Sequence, residues 1–156
     1  MHKLAERLDF GGEQREIKSL NTDRGVRFPA DDKEREKWQD PEAILSGIGL
    51  KPGFTFVDIA CGGGFFALPA TRMVGSKGKV YGLDKDVGSI TWLKERADGE
   101  GLKNLYLTVG RAEESVICEQ CADIIFFGMC LHDLQDPSQV LENARRMVKP
   151  TGRLVN

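Results

Sequence analysis

The sequence predicts an α/β fold with a Rossmann-like, doubly wound and mostly parallel sheet. From about residue 40 onward, short apolar runs that suit strands alternate with amphipathic stretches that suit helices, a pattern typical of repeated strand–helix units. Glycines follow the first apolar run at once, and an acidic residue ends the second. Together these features predict one sheet with a ligand at its first turn.

Composition limits the class of protein. The 156 residues suffice for one compact domain, and 22 basic and 24 acidic residues leave a formal net charge of -2. No run of Lys and Arg marks a dedicated nucleic-acid binder, and no stretch suits a membrane span or a secretory leader. We therefore expect a soluble, cytoplasmic protein. Its four cysteines lie in or beside apolar runs, which favours reduced thiols.

The chain divides by composition into two parts. Residues 1–39 are polar and rich in charge, and residues 40–156 carry the predicted domain. Within the opening part, residues 31–37 have no apolar stripe, so we expect a solvated helix or a loop there. Phe28 and Trp38 are its only obvious apolar anchors.

The first elements of the domain have clear local signals. Asp40 and Pro41 supply an N-cap and a first-turn proline, which predict a helix that stops near Gly47. The β-branched and aromatic run at 54–59 predicts a buried first strand, and a helix follows over residues 65–74.

The later elements follow the same alternation. Apolar runs predict three further strands and an amphipathic segment predicts a helix between them. Asp136 and Pro137 cap a last helix with an apolar side, a turn follows at 149–152, and a nascent fifth strand follows at 153–155. The predicted strands lie at 79–83, 105–109 and 122–127, the intervening helix at 89–97, and the apolar side of the last helix at Val140, Leu141, Ala144, Met147 and Val148.

The turn after the first strand carries the main binding motif. The residues VDIACGGG at 57–64 place glycines where a tight turn and a close ligand require them. The helix that follows offers free N–H groups at its N-terminus. Asp84 ends the second strand about twenty residues on, where a carboxylate can accept hydrogen bonds from ribose hydroxyls. The two features predict a ligand that contains adenosine.

Two kinds of cofactor fit this turn. The residues GGGFFA at 62–67 also match the dinucleotide motif of NAD-dependent dehydrogenases. Asp58 favours a different cofactor, because a pyrophosphate would meet its like charge whereas a methionine ammonium group would not. We also expect too little chain for the substrate domain of a dehydrogenase.

Four motifs together carry a family resemblance. The sequences VDIACGGG, YGLDKD, DIIFFGMCLHDLQDP and VKPTGRL, in this order and spacing, resemble class I S-adenosylmethionine-dependent methyltransferases. The similarity is greatest to the branch that contains ubiquinone- and menaquinone-biosynthesis enzymes, and it covers roughly residues 40–156. It implies S-adenosylmethionine as the cofactor and methyl transfer to a small-molecule acceptor. The alternative is a non-catalytic module of the same fold that binds the cofactor or a partner.

The resemblance assigns a cofactor site residue by residue. It places the first motif against the methionine and the sugar, Asp84 on the ribose hydroxyls, and Lys85 beside the adenine. Segments after the third and fourth strands complete the site at its adenine and methionine ends. The implied cofactor-binding residues are Asp58, Ala60, Cys61, Gly62, Gly64, Asp84, Lys85, Arg111, Ala112, Gly128 and Met129, with Cys130 beside the last two.

Two positions depart from the family pattern. Ala60 stands where relatives often carry glycine, and we expect little loss from one methyl group. Arg111 stands where an acid commonly accepts a hydrogen bond from the adenine amino group, which arginine cannot do. Arg111 could stack on the purine while the N–H of Ala112 contacts the ring edge, or Glu113 could substitute for the acid.

A catalytic base is optional, since a sulfonium is already an activated methyl donor and positioning can supply most of the acceleration. His132 is the candidate base, because imidazole can accept a proton near neutral pH. The alternative is a loop histidine that hydrogen-bonds Asp133 or shapes the pocket. In the opening segment, Arg24 and Arg27 could close over the cofactor with Phe28, an arginine meeting the methionine carboxylate. A solvated linker explains them equally well.

Two further features bear on metals and partners. Cys118 and Cys121 have the spacing of half a zinc site, but no second pair follows, so we expect structural thiols and no metal. Family members add two strands after the fifth, which this sequence lacks. Its fifth strand would form a bare edge, and we expect a homodimer that buries it.

Overall fold

The computed structural model describes residues 30–156. Arg24, Arg27 and Phe28, which we considered as a segment closing over the cofactor, lie outside these residues. The helices are α1 Ala30–Glu36, α2 Pro41–Gly47, α3 Ala67–Val74, α4 Val87–Gly99 and α5 Pro137–Met147. The strands are β1 Thr55–Ile59, β2 Lys79–Asp84, β3 Leu105–Val109, β4 Ala122–Phe127 and β5 Val148–Val155.

The five strands form one sheet in the order β3-β2-β1-β4-β5, and each neighbouring pair is parallel. β1 lies at the centre, paired with β2 on one side and β4 on the other. The chain therefore builds outward in one direction from β1 and then returns to build in the other. This reversal lies between β1 and β4, at the point where doubly wound sheets bind their ligands. The predicted fold class is confirmed.

Apolar side chains on the two faces of the sheet form two cores. One core contains Phe56 of β1 with residues of α2, α3 and α4. The other contains Val57 and Ile59 with the buried side of α5. Because successive side chains of a strand point to opposite faces, Asp58 belongs on the same face as Phe56.

Local signals place the helix starts where the sequence predicts them. Asp40 caps α2 by accepting a hydrogen bond from the N–H of Ala43 at 3.1 Å. Asp136 caps α5 by accepting one from the N–H of Gln139 at 3.0 Å. Each helix also has proline in its first turn, where the missing N–H has no partner to lose.

Three expectations about elements and side chains were wrong. β5 begins at Val148 rather than at Arg153, but its register with β4 jumps from the pair Ala122–Val148 to the pair Ile124–Arg153, so residues 149–152 bulge out of the ladder. Leu141 is 42% exposed and Trp38 is 71% exposed, so neither belongs to the core. α1 is instead attached to the domain through polar side chains, described below.

The expectation that all four cysteines are reduced thiols was also wrong. Cys118 and Cys121 form a disulfide, because a turn between them brings their Cα atoms to 5.9 Å. Cys61 and Cys130 are free. The disulfide lies just before β4, at the opposite end of the sheet from the carboxyl ends of the strands.

Within residues 30–156, β5 pairs with β4 alone and forms one edge of the sheet. Its burial pattern is largely exposed or intermediate, and Leu154 is 41% exposed. Across residues 30–156, none of the helices has the length and apolar character that a bilayer crossing requires.

Candidate functional site

A cavity of about 230 Å³ opens at the carboxyl ends of the strands. Five of the residues implied as cofactor-binding line it: Ala60, Asp84, Lys85, Arg111 and Ala112. The other lining residues are Leu83, Gly110, Glu113, Cys130, Asp133, Leu134 and Gln135. Segments that follow β1, β2, β3 and β4 therefore meet around one space.

The glycine turn, residues 60–64, is joined directly to the end of β2. The N–H of Gly62 donates a hydrogen bond to Oδ2 of Asp84 at 2.8 Å, and Oδ1 of Asp84 accepts another from the N–H of Asp86 at 2.9 Å. Since a carboxylate has about four acceptor positions, Asp84 can still accept from a ligand. The two sequence motifs form one structural unit.

Asp58 is a buried acid beside this turn. The residue is 2% exposed, and Oδ2 has no hydrogen-bond partner among the described residues. Burial raises the pKa of Asp58 to about 8, the neighbouring charge of Asp84 adds to the increase, and Arg35 opposes it. An unpartnered buried carboxyl oxygen is costly, so this position fits a ligand group that donates hydrogen bonds and carries positive charge.

Two residues other than glycine adopt left-handed backbone conformations at this end of the sheet. Ala60 follows β1 with φ 58 and Met129 follows β4 with φ 63. Such conformations cost free energy for residues with a Cβ atom. Alanine in place of the family's glycine at position 60 therefore costs backbone free energy as well as adding a methyl group. The expectation of little loss took only the methyl group into account.

α1 covers the glycine turn with an arginine. The guanidinium carbon of Arg35 lies 4.1 Å from the centre of the Phe65 ring and 5.1 Å from that of Phe66. Burial lowers the pKa of Arg35, while the charges of Asp32 and Asp58 oppose this shift. Phe65 and Phe66 are buried core residues, and they hold a cation beside the buried acid.

The segment after β3 is tied to the loop after β4. Nη2 of Arg111 donates a hydrogen bond to Oε1 of Gln135 at 2.6 Å. Oε1 of Glu113 accepts from the N–H of Gln135 at 3.0 Å, and backbone N–H groups, its own first among them, hold the pKa of Glu113 below its usual range. Arg111 and Glu113 therefore serve as bridges between two walls of the cavity.

The predicted methionine end is less enclosed. Met129 is 61% exposed and its Sδ lies 3.9 Å from Nε2 of Gln39. A Cβ atom on Gly128 would lie 3.1 Å from the ring of Phe66, so any larger residue there would require that ring to shift by a few tenths of an ångström. Cys130 lines the cavity, and its Sγ donates to the carbonyl of Ile59 at 3.2 Å. Burial raises the pKa of Cys130 to about 11, so this thiol is not a nucleophile at neutral pH.

His132 lies in a short helical turn, Leu131–Asp133. Its side chain is 73% exposed, and Nε2 lies 3.4 Å from Oδ2 of Asp133. Asp133 lines the cavity, whereas His132 is not among the lining residues. The imidazole is therefore at the rim, beside an acid that can orient it.

Sequence reasoning missed several residues of the site. Arg35 and Arg96 reach the glycine turn from helices, and charged residues in a solvated helix give no local signal for such a contact. Gln135 and Leu134 precede a recognisable helix cap, which marks a loop but not its neighbours. Among the residues the structure describes, no group of three or more His, Cys, Asp or Glu side chains could hold a metal ion.

Comparison with known proteins gives a consistent family. A family model described as a methyltransferase domain matches residues 50–156. The demethylmenaquinone methyltransferase of Bacillus mycoides strain KBAB4 is 32% identical over 108 residues, which cover 69% of this chain and 46% of that protein. The enzyme of the same name from Oceanobacillus iheyensis is 32% identical over 111 residues, or 71% of this chain and 47% of that protein. The chain thus spans about half the length of these relatives.

A solved structure extends the similarity to most of the chain. The S-adenosylmethionine-dependent methyltransferase from Aquifex aeolicus superimposes with a TM-score of 0.75 at 32% identity. The match covers 90% of this chain and 69% of that one. The YcgJ protein from Bacillus subtilis, at 20% identity and a TM-score of 0.65, shares the fold.

Proposed function

The chain belongs to the class I S-adenosylmethionine-dependent methyltransferases, in the branch similar to menaquinone-biosynthesis enzymes, and from this premise we propose that it transfers a methyl group to a small-molecule acceptor. The neighbourhood of Asp58 carries the proposal most strongly. Among residues 30–156, this buried acid has an oxygen without a hydrogen-bond partner at the glycine turn and a cationic side chain, Arg35, nearby. An acidic and a cationic side chain close together complement the ammonium and carboxylate groups of an amino-acid zwitterion.

The cofactor's methionine end would lie against these two charges. Asp58 would accept from the ammonium group, and Arg35, held on the Phe65 ring, would donate to the carboxylate. Arg35 would thereby bind the methionine carboxylate, the role for which Arg24 and Arg27 were the candidates from the sequence. Desolvation makes both interactions stronger than they would be in water, and burial of an unpaired Asp58 is costly without the ligand.

The rest of the site suits a nucleoside. Asp84 would accept hydrogen bonds from the ribose hydroxyls while it keeps its contact with Gly62. Lys85, Arg111 and Ala112 line the far part of the cavity, where a purine would lie. To stack on the face of the purine, the Arg111 side chain would have to leave its hydrogen bond with Gln135. Glu113 lines the cavity and has Oε2 as an acceptor for the adenine amino group.

The proposed transfer depends on positioning. S-adenosylmethionine supplies a methyl group activated by the positive sulfur to which it is bonded. The protein's own residues would hold this group near the end of β4, with α1 and the segment 128–130 limiting the access of water. For an acceptor that must lose a proton, we propose His132 as the base, oriented by Asp133.

An apolar ring is the acceptor that this end of the sheet favours. Met129 and Trp38 expose large apolar surfaces, and Gln39, which follows Trp38, contacts Met129. Exposed apolar side chains near a binding site suit an apolar ligand. Relatives named for demethylmenaquinone make a quinol ring of that kind the first acceptor to test.

We further propose a second copy of the chain as a partner. The β5 edge presents unpaired backbone groups, which invite pairing with another strand. Edge-to-edge pairing of two β5 strands would cover Leu154, which is exposed in the single chain.

The test of the proposed function has two stages. Calorimetry measures binding of S-adenosylmethionine, S-adenosylhomocysteine and NAD, and we expect binding of the first two only. Radiolabelled methyl transfer is then measured with a panel of quinol precursors and a cell extract. Cofactor binding without transfer to any acceptor would favour the non-catalytic module, and NAD binding alone would refute the proposal.

A further inference from the structure

Arg96, on α4, contacts the glycine turn from outside the cavity. Its Nη1 donates a hydrogen bond to the carbonyl of Gly63 at 2.9 Å and a second to Oδ2 of Asp32 on α1, also at 2.9 Å. The side chains of Arg96 and Asp32 are 30% and 24% exposed. One partly buried cation thus joins α1, α4 and the turn.

Two hydrogen bonds, one at its carbonyl and one at its N–H, fix the peptide plane between Gly63 and Gly64. Its carbonyl, from Gly63, accepts from Arg96, and its N–H, from Gly64, donates to the carbonyl of Cys61 at 3.1 Å. Glycines on either side give such a plane little intrinsic preference between two orientations. The contact with Arg96 selects the orientation in which the carbonyl of Gly63 faces α4, while the N–H of the preceding residue, Gly62, faces Asp84.

Two other side chains of α4 support the same turn. A Cβ atom on Gly63 would lie 3.3 Å from Cδ1 of Trp92, and one on Gly64 would collide with Leu93. Trp92, Leu93 and Arg96 lie on one side of the helix by their spacing. Trp92 and Leu93 set the distance between the turn and α4. Arg96, the charged residue of the three, fixes the direction of the peptide.

We propose that Arg96 is a positioning residue for cofactor binding: it holds the Gly63–Gly64 peptide and couples it to α1 through Asp32. This inference rests on the proposed function, since it assumes that the glycine turn holds the cofactor. Arg35 is on the same short helix as Asp32, so the coupling also places a cation beside Asp58. Arg96 itself touches no part of the cavity.

The experiment compares Arg96→Gln with Arg72→Gln in the full chain. Arg72 is a matched control, because its Nη1 pairs with Oε2 of Glu100 at 2.6 Å with comparable side-chain exposure, 44%, away from the turn. We expect Arg96→Gln to weaken S-adenosylhomocysteine binding by about tenfold, as loss of a charge-assisted hydrogen bond implies, and Arg72→Gln to leave it unchanged. Arg96→Lys should recover part of the loss, because a single nitrogen serves both acceptors.

Hydrogen exchange of the free protein gives a readout that needs no cofactor. The N–H groups of Cys61 and Gly62 are hydrogen-bonded to Leu83 and Asp84 of β2, and that of Gly64 to Cys61 within the turn. Arg96→Gln should accelerate the exchange of these three groups, while Arg72→Gln does not. Asp32→Asn added to Arg96→Gln should cause no further loss of affinity, because Asp32 acts through Arg96.

The outcomes separate this inference from the proposed function. Equal affinities for the two glutamine variants, or unchanged exchange in Arg96→Gln, would overturn the role of Arg96. If the unmodified chain binds no S-adenosylhomocysteine, the proposed function fails, and the exchange comparison still decides whether Arg96 fixes the turn.

Discussion

Asp84 and Gly62 are joined by a hydrogen bond of 2.8 Å between a side-chain carboxylate and a backbone N–H. The residue that ends β2 therefore also sets the conformation of the turn that follows β1. A substitution at Asp84 acts on the ribose position and on the turn together, so its effect on affinity combines a lost contact with a loosened loop.

Asp84→Ala should reduce the affinity for S-adenosylhomocysteine by about 1.5 to 3 kcal/mol, the range for losing hydrogen bonds to a charged group. Calorimetry measures it. Asp86→Ala is the control, since Asp86 caps α4 through Ser89 and its loss should lower stability by about 1 kcal/mol with little change in affinity. Equal affinities for wild type and Asp84→Ala would contradict the assignment of Asp84.

Asp58 should make stability depend on pH. Its pKa in the folded protein is about 8, above the value of about 4 in an unfolded chain, so the folded state keeps a proton that the unfolded state loses. The resulting stabilisation is fully present below about pH 4 and is lost as pH rises through about 8. Urea denaturation from pH 5 to 8 should therefore show falling stability.

Asp58→Asn should remove this slope, because the amide does not titrate. It should also weaken S-adenosylhomocysteine binding by tenfold or more, because Asp58 can give up its proton and face the ammonium group as a carboxylate, whereas the amide cannot carry that charge. Asp98→Asn, which changes an exposed acid paired with Lys94, should alter neither. A slope that persists in Asp58→Asn would assign the pH dependence to another group.

Ala60→Gly should stabilise the protein by roughly 0.5 to 1 kcal/mol. Relief of the left-handed conformation at φ 58 is worth about 1 to 2 kcal/mol, and the greater freedom of glycine in the unfolded chain offsets part of it. The mirror experiment is Gly62→Ala, at φ 52 with open space around the added Cβ, which should destabilise by about 1 kcal/mol. Urea midpoints of the two variants should move in opposite directions.

His132→Ala should lower kcat by about a hundredfold if the acceptor loses a proton in the transfer, in line with general-base catalysis. The affinity for S-adenosylhomocysteine should not change, because His132 lies outside the cavity lining. A rate within threefold of wild type would leave His132 as a loop residue that contacts Asp133.

Leu154→Lys should shift the proposed homodimer to monomer, since a charge on an edge strand opposes strand pairing. Leu141→Lys is the matched control, because Leu141 on α5 is 42% exposed and Leu154 is 41% exposed. Sedimentation of each protein over a range of concentrations measures the change. Wild-type protein that remains monomeric at high concentration would remove the dimer proposal.

Strands and helices could be predicted because their signals are local. Asp40 and Asp136 each act on an N–H three residues away, and the β-branched and aromatic run that predicts β1 is complete within its own residues. Asp84 could be placed at the end of its strand for the same reason. The start of β5 was placed too late, because proline and glycine at 149–152 mark a turn locally and give no sign that Val148, before them, already pairs with Ala122 of β4.

The contacts around the glycine turn could not be predicted, because they depend on packing between distant segments. Arg96 lies 33 residues from Gly63 and 64 from Asp32, and its charge gives no hint of either partner. The same holds for Arg35 on the Phe65 ring. The left-handed backbone of Ala60 was missed because the substitution was judged by volume alone, while the turn geometry determines its conformational cost.

The order β3-β2-β1-β4-β5 places the residues of the cofactor's sugar and those of the acceptor end on two different stretches of chain. Everything that would hold the nucleoside's sugar follows β1 and β2, whereas the exposed Met129 and the rim histidine follow β4 on the far side of the reversal. If the chain transfers methyl groups as we propose, substitutions after β4 can therefore change the acceptor while the glycine turn and Asp84 stay as they are. In such a fold, new substrates arise without rebuilding the donor site.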